Sequence, residues 1–327
     1  MSLDVAIAPP HPGRWRRLLG SDYFILLISA LYFLALAPFI PGFATPENLR
    51  NLLANSLPLL VVAAGQTVVL IAGGIDLSVT AIMAATSVQG ALVMQRMPNH
   101  GLLATVTGVA AMLGIGAVVG GGNGMAITRL RMPPFIVTLT AMMFFSGFAV
   151  WVTQSQKING LPEDFNNLGG KLPFTLAASL LAVGLLGWLL RRSLFGAWLY
   201  AVGHNPRTAR VSGVPVDGVL VGAYVLSGLG AALASVLLTG QGETGDPVLG
   251  RYLLLDVIGA SVIGGASFFG GRGNVLSTAA GVLFIKLIDN SLGLLGSSHF
   301  TIMMVKGCLI LAAALADSLR HRLVAAN

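Results

Sequence analysis

Three observations predict an all-α, polytopic membrane protein of about ten transmembrane helices, some of them broken, with both termini in the cytosol. Of the 327 residues, 55% are hydrophobic and only 9% charged, and the mean hydropathy is +0.83. That is more apolar surface than a water-soluble chain of this size can bury. The apolar residues gather into runs of roughly 16 to 22, the length a helix needs to cross a bilayer. The lysines and arginines between the runs are unevenly shared between alternate connections, as the positive-inside rule requires.

The runs lie near residues 21–40, 52–72, 77–95, 102–123, 134–153, 174–190, 218–240, 253–268, 275–295 and 300–317. They define a transmembrane domain over 21–317, flanked by tails at 1–20 and 318–327. Arg14, Arg16 and Arg17 precede the first run and no small-residue cleavage site follows it, so the sequence predicts a cytosolic tail and not a removed leader. An even number of spans returns the C-terminus to the same side. The cytosolic set is then Arg14, Arg16, Arg17, Arg129, Arg131, Arg191, Arg192, Arg207, Arg210, Arg272, Arg320 and Arg322. The outer loops hold only Arg50, Arg96, Lys157, Lys171 and Arg251, which favours the N-in, C-in arrangement. Topology thus accounts for the pI of about 10.1; no basic, aromatic-interleaved face suits a nucleic acid.

The 42 glycines would each cost a soluble helix roughly 1 kcal/mol against alanine, but in lipid they let helix backbones approach closely. Gly116, Gly120 and Gly124 form one packing stripe, and Gly218 and Gly222 another. The longest outer loop, Gln154 to Lys171, is too short for a domain and long enough to receive a soluble partner.

Two segments interrupt the apolar pattern. In IAGGIDLSV, Ile71 to Val79, one helix is expected to end at Gly73 or Gly74 and another to restart with Asp76 as its N-cap. Irregular backbone at membrane depth needs cover from protein or from a water-filled path, so Asp76 is either the cap that holds the break or a pathway residue. FFGGRGNVLS, Phe268 to Ser277, repeats the design, with Gly270 and Gly271 at the break and Asn274 as the expected cap. Asn123 is expected to cap the helix end before Arg129, and Pro133 and Pro134 suit the start of the next span.

Residues 191–217 form the longest polar, basic stretch and enclose a short helix with both ends marked. Asn205 suits the N-cap, Pro206 the first helical position, and Gly213 a left-handed stop. Arg207 and Arg210 would share one face and offer guanidinium forks to an acidic or carbonyl-rich surface. The segment is thus a handle for a partner or a solvated basic loop. Deeper in the chain, Lys286 and Asp289 are expected on one span and Lys306 on the next. Charges in lipid need partners, so Asp289 should pair with Lys286 or Lys306.

Other chemistry is excluded by what the motifs lack. The four lysines precede Ile, Leu, Leu and Gly, so there is no GxxxxGK[ST] loop to hold a nucleotide. The five histidines, His11, His100, His204, His299 and His321, show no metal-ligand spacing, and no nucleophile elbow or carboxylate pair appears. The sole cysteine, Cys308, can form no internal disulfide. No enzyme activity, metal or cofactor is expected of the chain itself.

The ordered succession GGIDLSV, NGMAITRLRMPPFIVTL, GAWLYAVGHNPRTARVSGV, YVLSGLGAALA, DVIGASVIGGASFFGGRGNVLST and LIDNSLGLLG with VKGCLILAAALAD resembles the permease subunit of monosaccharide ABC importers of the ribose, arabinose, xylose and galactose type, over residues 45 to 317. The resemblance implies a multi-pass subunit of the bacterial inner membrane. Its partners would be a second permease subunit, a cytosolic ATPase that alone binds ATP, and a periplasmic or lipid-anchored sugar-binding protein. It turns the handle into a coupling helix, with Gly196, Gly203, Asn205, Pro206, Arg207, Ala209, Arg210 and Gly213 as coupling residues. Gln66, Gly73, Gly74, Asp76, Ser78, Asn123, Gly270, Gly271 and Asn274 are expected to shape the inner part of the pathway. Thr80 and Ala81 replace the Gly-Ser common in the family, and Leu254, Leu255 and Asp256 replace Glu-Leu-Asp, so contacts at the outer face are open to change; the resemblance implies a homodimer or a heterodimer of paralogues, and these departures tilt toward the heterodimer. A branched-chain amino-acid permease and an ion-coupled carrier using Asp76, Asp256 or Asp289 are the alternatives.

Overall fold

The computed structural model describes residues 24–97 and 101–325, with side chains up to 318. The expected N-terminal tail with Arg14, Arg16 and Arg17, the residue His100, and the side chains of Arg320, His321 and Arg322 lie outside the described residues. Among those described, the chain is helical throughout and forms no strand, only one isolated bridge between Ile158 and Gly245. In order, the helices are α1 (Phe24–Leu36), α2 (Pro46–Ile71), α3 (Val79–Gln95), α4 (Gly101–Arg129), α5 (Pro134–Thr153), α6 (Glu163–Gly170), α7 (Leu172–Arg192), α8 (Leu194–His204), α9 (Pro206–Val211), α10 (Val216–Gly242), α11 (Leu254–Ile263), α12 (Val275–Leu294) and α13 (His299–Ala325).

Each of the ten apolar runs falls on a helix. Seven of these, α2, α4, α5, α7, α10, α12 and α13, are long and apolar enough to cross a membrane. The other three are shorter: α1 has 13 described residues, α3 has 17 and α11 has 10. The run at 253–268 was expected to be one span, but the helix stops at Ile263. Gly264 ends it and Gly265, at φ +95°, turns the chain in a direction that L side chains resist.

At the middle of the fold, α10 packs against α2, α3, α4, α6 and α8. The approach of α4 to α10 is set by the expected glycine stripe. A Cβ on Gly116 would strike the Gly228 carbonyl, one on Gly120 the Tyr224 carbonyl, and one on Gly124 would lie 2.7 Å from Val221 Cα. The α4 and α10 backbones therefore touch, which is how helices associate where lipid removes the hydrophobic incentive. Gly218 corrects the second stripe: nothing lies within 4 Å of its Cβ position, and only Gly222 meets a neighbour, the Phe195 ring. Buried hydroxyls add contacts between helices, Ser235 Oγ to Met83 O at 2.8 Å and Thr239 Oγ1 to Ser87 Oγ at 2.7 Å. In contrast, α5, α7 and α13 leave most of their apolar surface exposed, as lipid-facing helices do.

At one end of the molecule the connections after α5 and α10 meet. Ile158 and Gly245 exchange backbone hydrogen bonds at 2.9 Å, Lys157 pairs with Asp246 at 2.9 Å, and Gln95 Nε2 donates to Asn159 O. Helix α6, inside this long loop, starts after Pro162 with Glu163 and Asp164 in its first turn, where the helix dipole favours carboxylates. The opposite end carries α8, α9 and the two irregular segments.

Candidate coupling and pathway sites

Helix α9 has the ends its sequence specifies. Asn205 Oδ1 accepts from Arg207 N at 3.0 Å and Thr208 N at 3.1 Å, and Pro206 occupies the first helical position. At the other end Gly213 adopts φ +83°, its N–H donating to Arg210 O and that of Val214 to Ala209 O, the double closure of a Schellman motif. Ala209 is buried, whereas Arg207, Thr208 and Val211 are exposed, Val211 at 90%. The two arginines do not offer equal forks: Arg210 Nη2 is held by Asp217 Oδ1 at 2.5 Å, on the first turn of α10. Sequence spacing alone missed α8, whose N-cap Ser193 accepts from Gly196 N at 3.1 Å. Gly196 is required there, because a Cβ would overlap the Leu189 and Leu190 carbonyls.

The C-terminal end of α8 meets both irregular segments through main-chain atoms. Gly271 N donates to Ile71 O at 2.9 Å, joining the end of α2 to the segment before α12. Gly203 lies against the same two groups, and a Cβ there would overlap the Ile71 carbonyl and the Gly271 amide. Gly270, at φ +81°, would place a Cβ 2.7 Å from Gly203 O and 2.9 Å from Gly73 Cα. Side chains brace the junction: Tyr200 Oη donates to Gly273 O at 2.8 Å and Arg191 Nη2 to Asn274 Oδ1 at 3.2 Å. Asn274 is the N-cap of α12, accepting from Leu276 N. From α13, Asp317 Oδ2 accepts from Ser267 Oγ at 2.9 Å and Phe268 N at 3.3 Å.

The first irregular segment is closed at one end by a Schellman motif, with Gly73 at φ +79° and its N–H on Leu70 O, and Gly74 N on Val69 O. Beyond it, Asp76 is wholly buried. Its Oδ1 accepts from Ser78 N at 2.9 Å and Ser78 Oγ at 2.6 Å, and its Oδ2 from Ser227 Oγ of α10 at 2.8 Å. The helical cap position of α3 is Ser78, two residues past the one expected, and Asp76 acts ahead of it through the Ser78 N–H. Gln66 on α2 grips the Asp76 backbone from the other side, its amide nitrogen donating to Asp76 O at 3.0 Å and its oxygen accepting from Asp76 N at 3.2 Å. The expectation for Asn123 is corrected. The glycine-lined contact with α10 keeps α4 helical to Arg129, so Asn123 lies inside the helix and caps nothing; its Nδ2 donates instead to Ser78 Oγ at 2.9 Å. Ile75 O receives weaker bonds from Tyr224 Oη and Thr138 Oγ1, each at 3.4 Å. The Asp76 carboxylate thus joins the start of α3 to α10, while its backbone engages α2 and its partner Ser78 engages α4.

The charges on the last helices assemble around a lysine. Lys306 of α13 pairs with Asp256 of α11 at 2.7 Å and with Asp289 of α12 at 3.0 Å, and Lys286 stands 3.7 Å from Asp289. Asp256, not foreseen as a partner, makes the shortest bond. Two lysines and two aspartates cancel within the group, which is how charge persists at membrane depth.

The family model described as the permease component of branched-chain amino acid transport systems matches residues 48–314. The chain belongs to that permease family. Among this permease's relatives, the ribose import permease protein of Bacillus subtilis (strain 168) is 40% identical over 307 residues, covering 91% of each chain. The L-arabinose transport system permease protein of Escherichia coli (strain K12) is 33% identical over 306 residues, 92% of each. The L-arabinose ABC transporter permease protein of Azospirillum brasilense is 31% identical over 326 residues, 98% of this chain and 94% of the relative. No solved structure matches. The permease is a multi-pass membrane protein.

Proposed function

We propose that the chain is the membrane subunit of an ATP-driven, binding-protein-dependent importer of a monosaccharide in a bacterial inner membrane. It works with a second permease subunit, a cytosolic ABC ATPase and an extracytoplasmic sugar-binding protein. Seven long apolar helices cross the bilayer, and α1, α3 and α11 with their flanking irregular segments would complete ten crossings with both termini in the cytosol, so that the end bearing α9 and its arginines would face the ATPase. The observation that carries the reading is the junction of Gly203, Ile71 and Gly271 directly behind the exposed, doubly capped α9. A displacement imposed on α9 by an ATPase reaches both irregular segments without passing through flexible side chains.

Alternating access then follows from rigid parts. Nucleotide closure of the ATPase pair would draw the two copies of α9 together, and the α2 and α12 segments would re-aim around the Asp76 knot. Asp76 acts in this scheme as the fastener of the break. The sugar relatives favour a neutral polyol over an amino acid. Reconstitution with the cognate ATPase and binding protein tests the reading: labelled sugar uptake requires ATP. Uptake by the chain alone, driven by a proton or sodium gradient, would overturn it.

A further inference from the structure

Helix α13 is seated on the rest of the molecule along one narrow stripe. Lys306, Ile310, Ala313 and Asp317 follow one another at spacings of four, three and four, which puts them on one face of the helix. Lys306 pairs with Asp256 and Asp289, and Ile310 lies against Gly259 of α11, where a Cβ would fall 2.6 Å from its Cγ1. Ala313 packs on the cluster that holds Ile258 and Val262 of α11. Phe300, Met304, Leu311 and Leu315 are exposed. The stripe thus ends in a polar contact on each side, Lys306 and Asp317, about 16 Å apart at 1.5 Å per residue.

Asp317 meets a turn folded about the buried Ser267. Ser267 N donates to Arg272 O at 3.1 Å, and Ser267 O accepts from Gly270 N at 3.2 Å. Its Oγ accepts from Phe269 N at 3.2 Å and donates to Asp317 Oδ2 at 2.9 Å, and Phe268 N donates to the same carboxylate oxygen at 3.3 Å. On its other side the turn donates from Gly271 N to Ile71 O, at the junction with Gly203 behind α9. One compact block of main chain therefore touches α2 and α8 on one side and α13 on the other.

We propose that Asp317 is a positioning residue of the transport cycle: it fastens α13 to the Ser267 turn, so that a displacement arriving at Gly203 is carried to α13 and along it to Asp256 and Asp289 at the far end. The proposal rests on the importer reading, with α9 on the ATPase, and adds an element that the stroke moves. Helix α12 starts from the same segment at Asn274 and reaches Lys306 through Asp289, so α12 and α13 form a frame closed at both ends. The contacts of Ile310 and Ala313 are apolar and let surfaces slide, whereas hydrogen bonds to a carboxylate are directional and strong. Loss of Asp317 opens one corner of the frame: the turn still moves with α8, and α13 stays behind.

The test uses the complete complex of permease, ATPase and binding protein, its other subunits free of cysteine. Labelled D-ribose or L-arabinose imported per ATP hydrolysed is measured for each variant, and a bimane fluorophore on Cys308, the sole cysteine of the chain and exposed on α13, follows the response to ATP. Asp317→Ala is expected to lower the sugar-to-ATP ratio by about ten-fold, as loss of hydrogen bonds to a charged acceptor should. Ser267→Ala lowers it less, because Phe268 N still reaches the carboxylate, and the double variant falls no further than Asp317→Ala. Asp317→Asn keeps an acceptor oxygen and retains most of the ratio. The ATP-dependent change in bimane emission is expected in the parent and in Asp317→Asn and is lost in Asp317→Ala. A merely structural role would lower the amount of complex and leave the ratio unchanged. An unchanged ratio in Asp317→Ala, a double variant whose loss is the product of the singles, or no ATP-dependent emission change in the parent would each overturn the fastening, as would an emission change that survives Asp317→Ala. If Asp317→Ala does not assemble with the ATPase, Ser267→Ala carries the same comparisons, and an unchanged ratio and emission there overturn it. Failure of the unmodified complex to import either sugar with ATP would instead overturn the importer reading beneath it.

Discussion

Replacing Lys306 by alanine should be among the most damaging single changes to this fold. The Lys306 side chain is 9% exposed and that of Asp256 4%, and the ammonium sits about 10 Å along α13 from His299 at 1.5 Å per residue. Without it, Asp256 loses its 2.7 Å partner and Asp289 keeps only Lys286 at 3.7 Å, leaving two carboxylates close together in the interior. Breaking a buried pair in this way costs roughly 3–5 kcal/mol, most of it from the charge left behind. Asp256→Leu should cost less, because Lys306 retains Asp289 at 3.0 Å. The double change Lys306→Ala with Asp256→Leu removes the carboxylate left without any partner, leaves Asp289 with Lys286, and should recover part of the loss, a coupling of about 0.5–3 kcal/mol. The assay is the fraction of detergent-purified permease that stays monodisperse after a graded heat challenge. A double variant whose loss equals the sum of the two singles would refute the pairing.

Three further outcomes are expected. Asp76→Asn keeps an acceptor for the Ser78 N–H and should retain transport, whereas Asp76→Leu strands the Ser78 and Ser227 donors at roughly 1–3 kcal/mol each and should abolish it; uptake measured in both separates a fastener from a required charge. Gly203→Val has no room beside the Ile71 carbonyl, so it should uncouple ATP hydrolysis from uptake while leaving co-purification with the ATPase intact. Gly213→Val meets no atom within 4 Å but forces a β-branched residue into φ +83°, at about 1–2 kcal/mol; together with Arg207→Glu it should weaken ATPase co-purification without altering membrane insertion.

How much of this was legible in the sequence depended on how local each cause is. The ends of α9, the Asn274 cap and the stop at Gly73 are written within a few residues of where they act, and Pro133 and Pro134 fix the start of α5. The Gly116, Gly120 and Gly124 stripe was legible because helical spacing puts all three on one face. What escaped was tertiary. Asp256 and Lys306 are fifty residues apart, and nothing in either neighbourhood names the other. Ser227 is an ordinary small residue until α10 carries it to Asp76. Asn123 looked like a cap because glycines surround it, yet those glycines are the reason the helix continues. The internal start of α8 had a signal that was passed over, Ser193 three residues before Gly196. Helix lengths were overestimated at α11 because hydropathy does not register that Gly264 and Gly265 have turned the chain.

The meeting of Gly203, Ile71 and Gly271 separates two tasks that are usually entangled. Under the proposed docking, recognition of the ATPase belongs to Arg207, Thr208 and Val211, whose side chains face outward, while the stroke passes through peptide groups that carry no side chain at all. The outward residues are therefore free to diverge as a transporter acquires its own motor, and a motor can be exchanged by rewriting a few surface positions. The mechanical linkage behind them has no such freedom, since any residue larger than glycine at 203 would pry it apart. Charge reversal or polarity scanning along this segment would alter which engine is accepted and leave the gearing itself invisible.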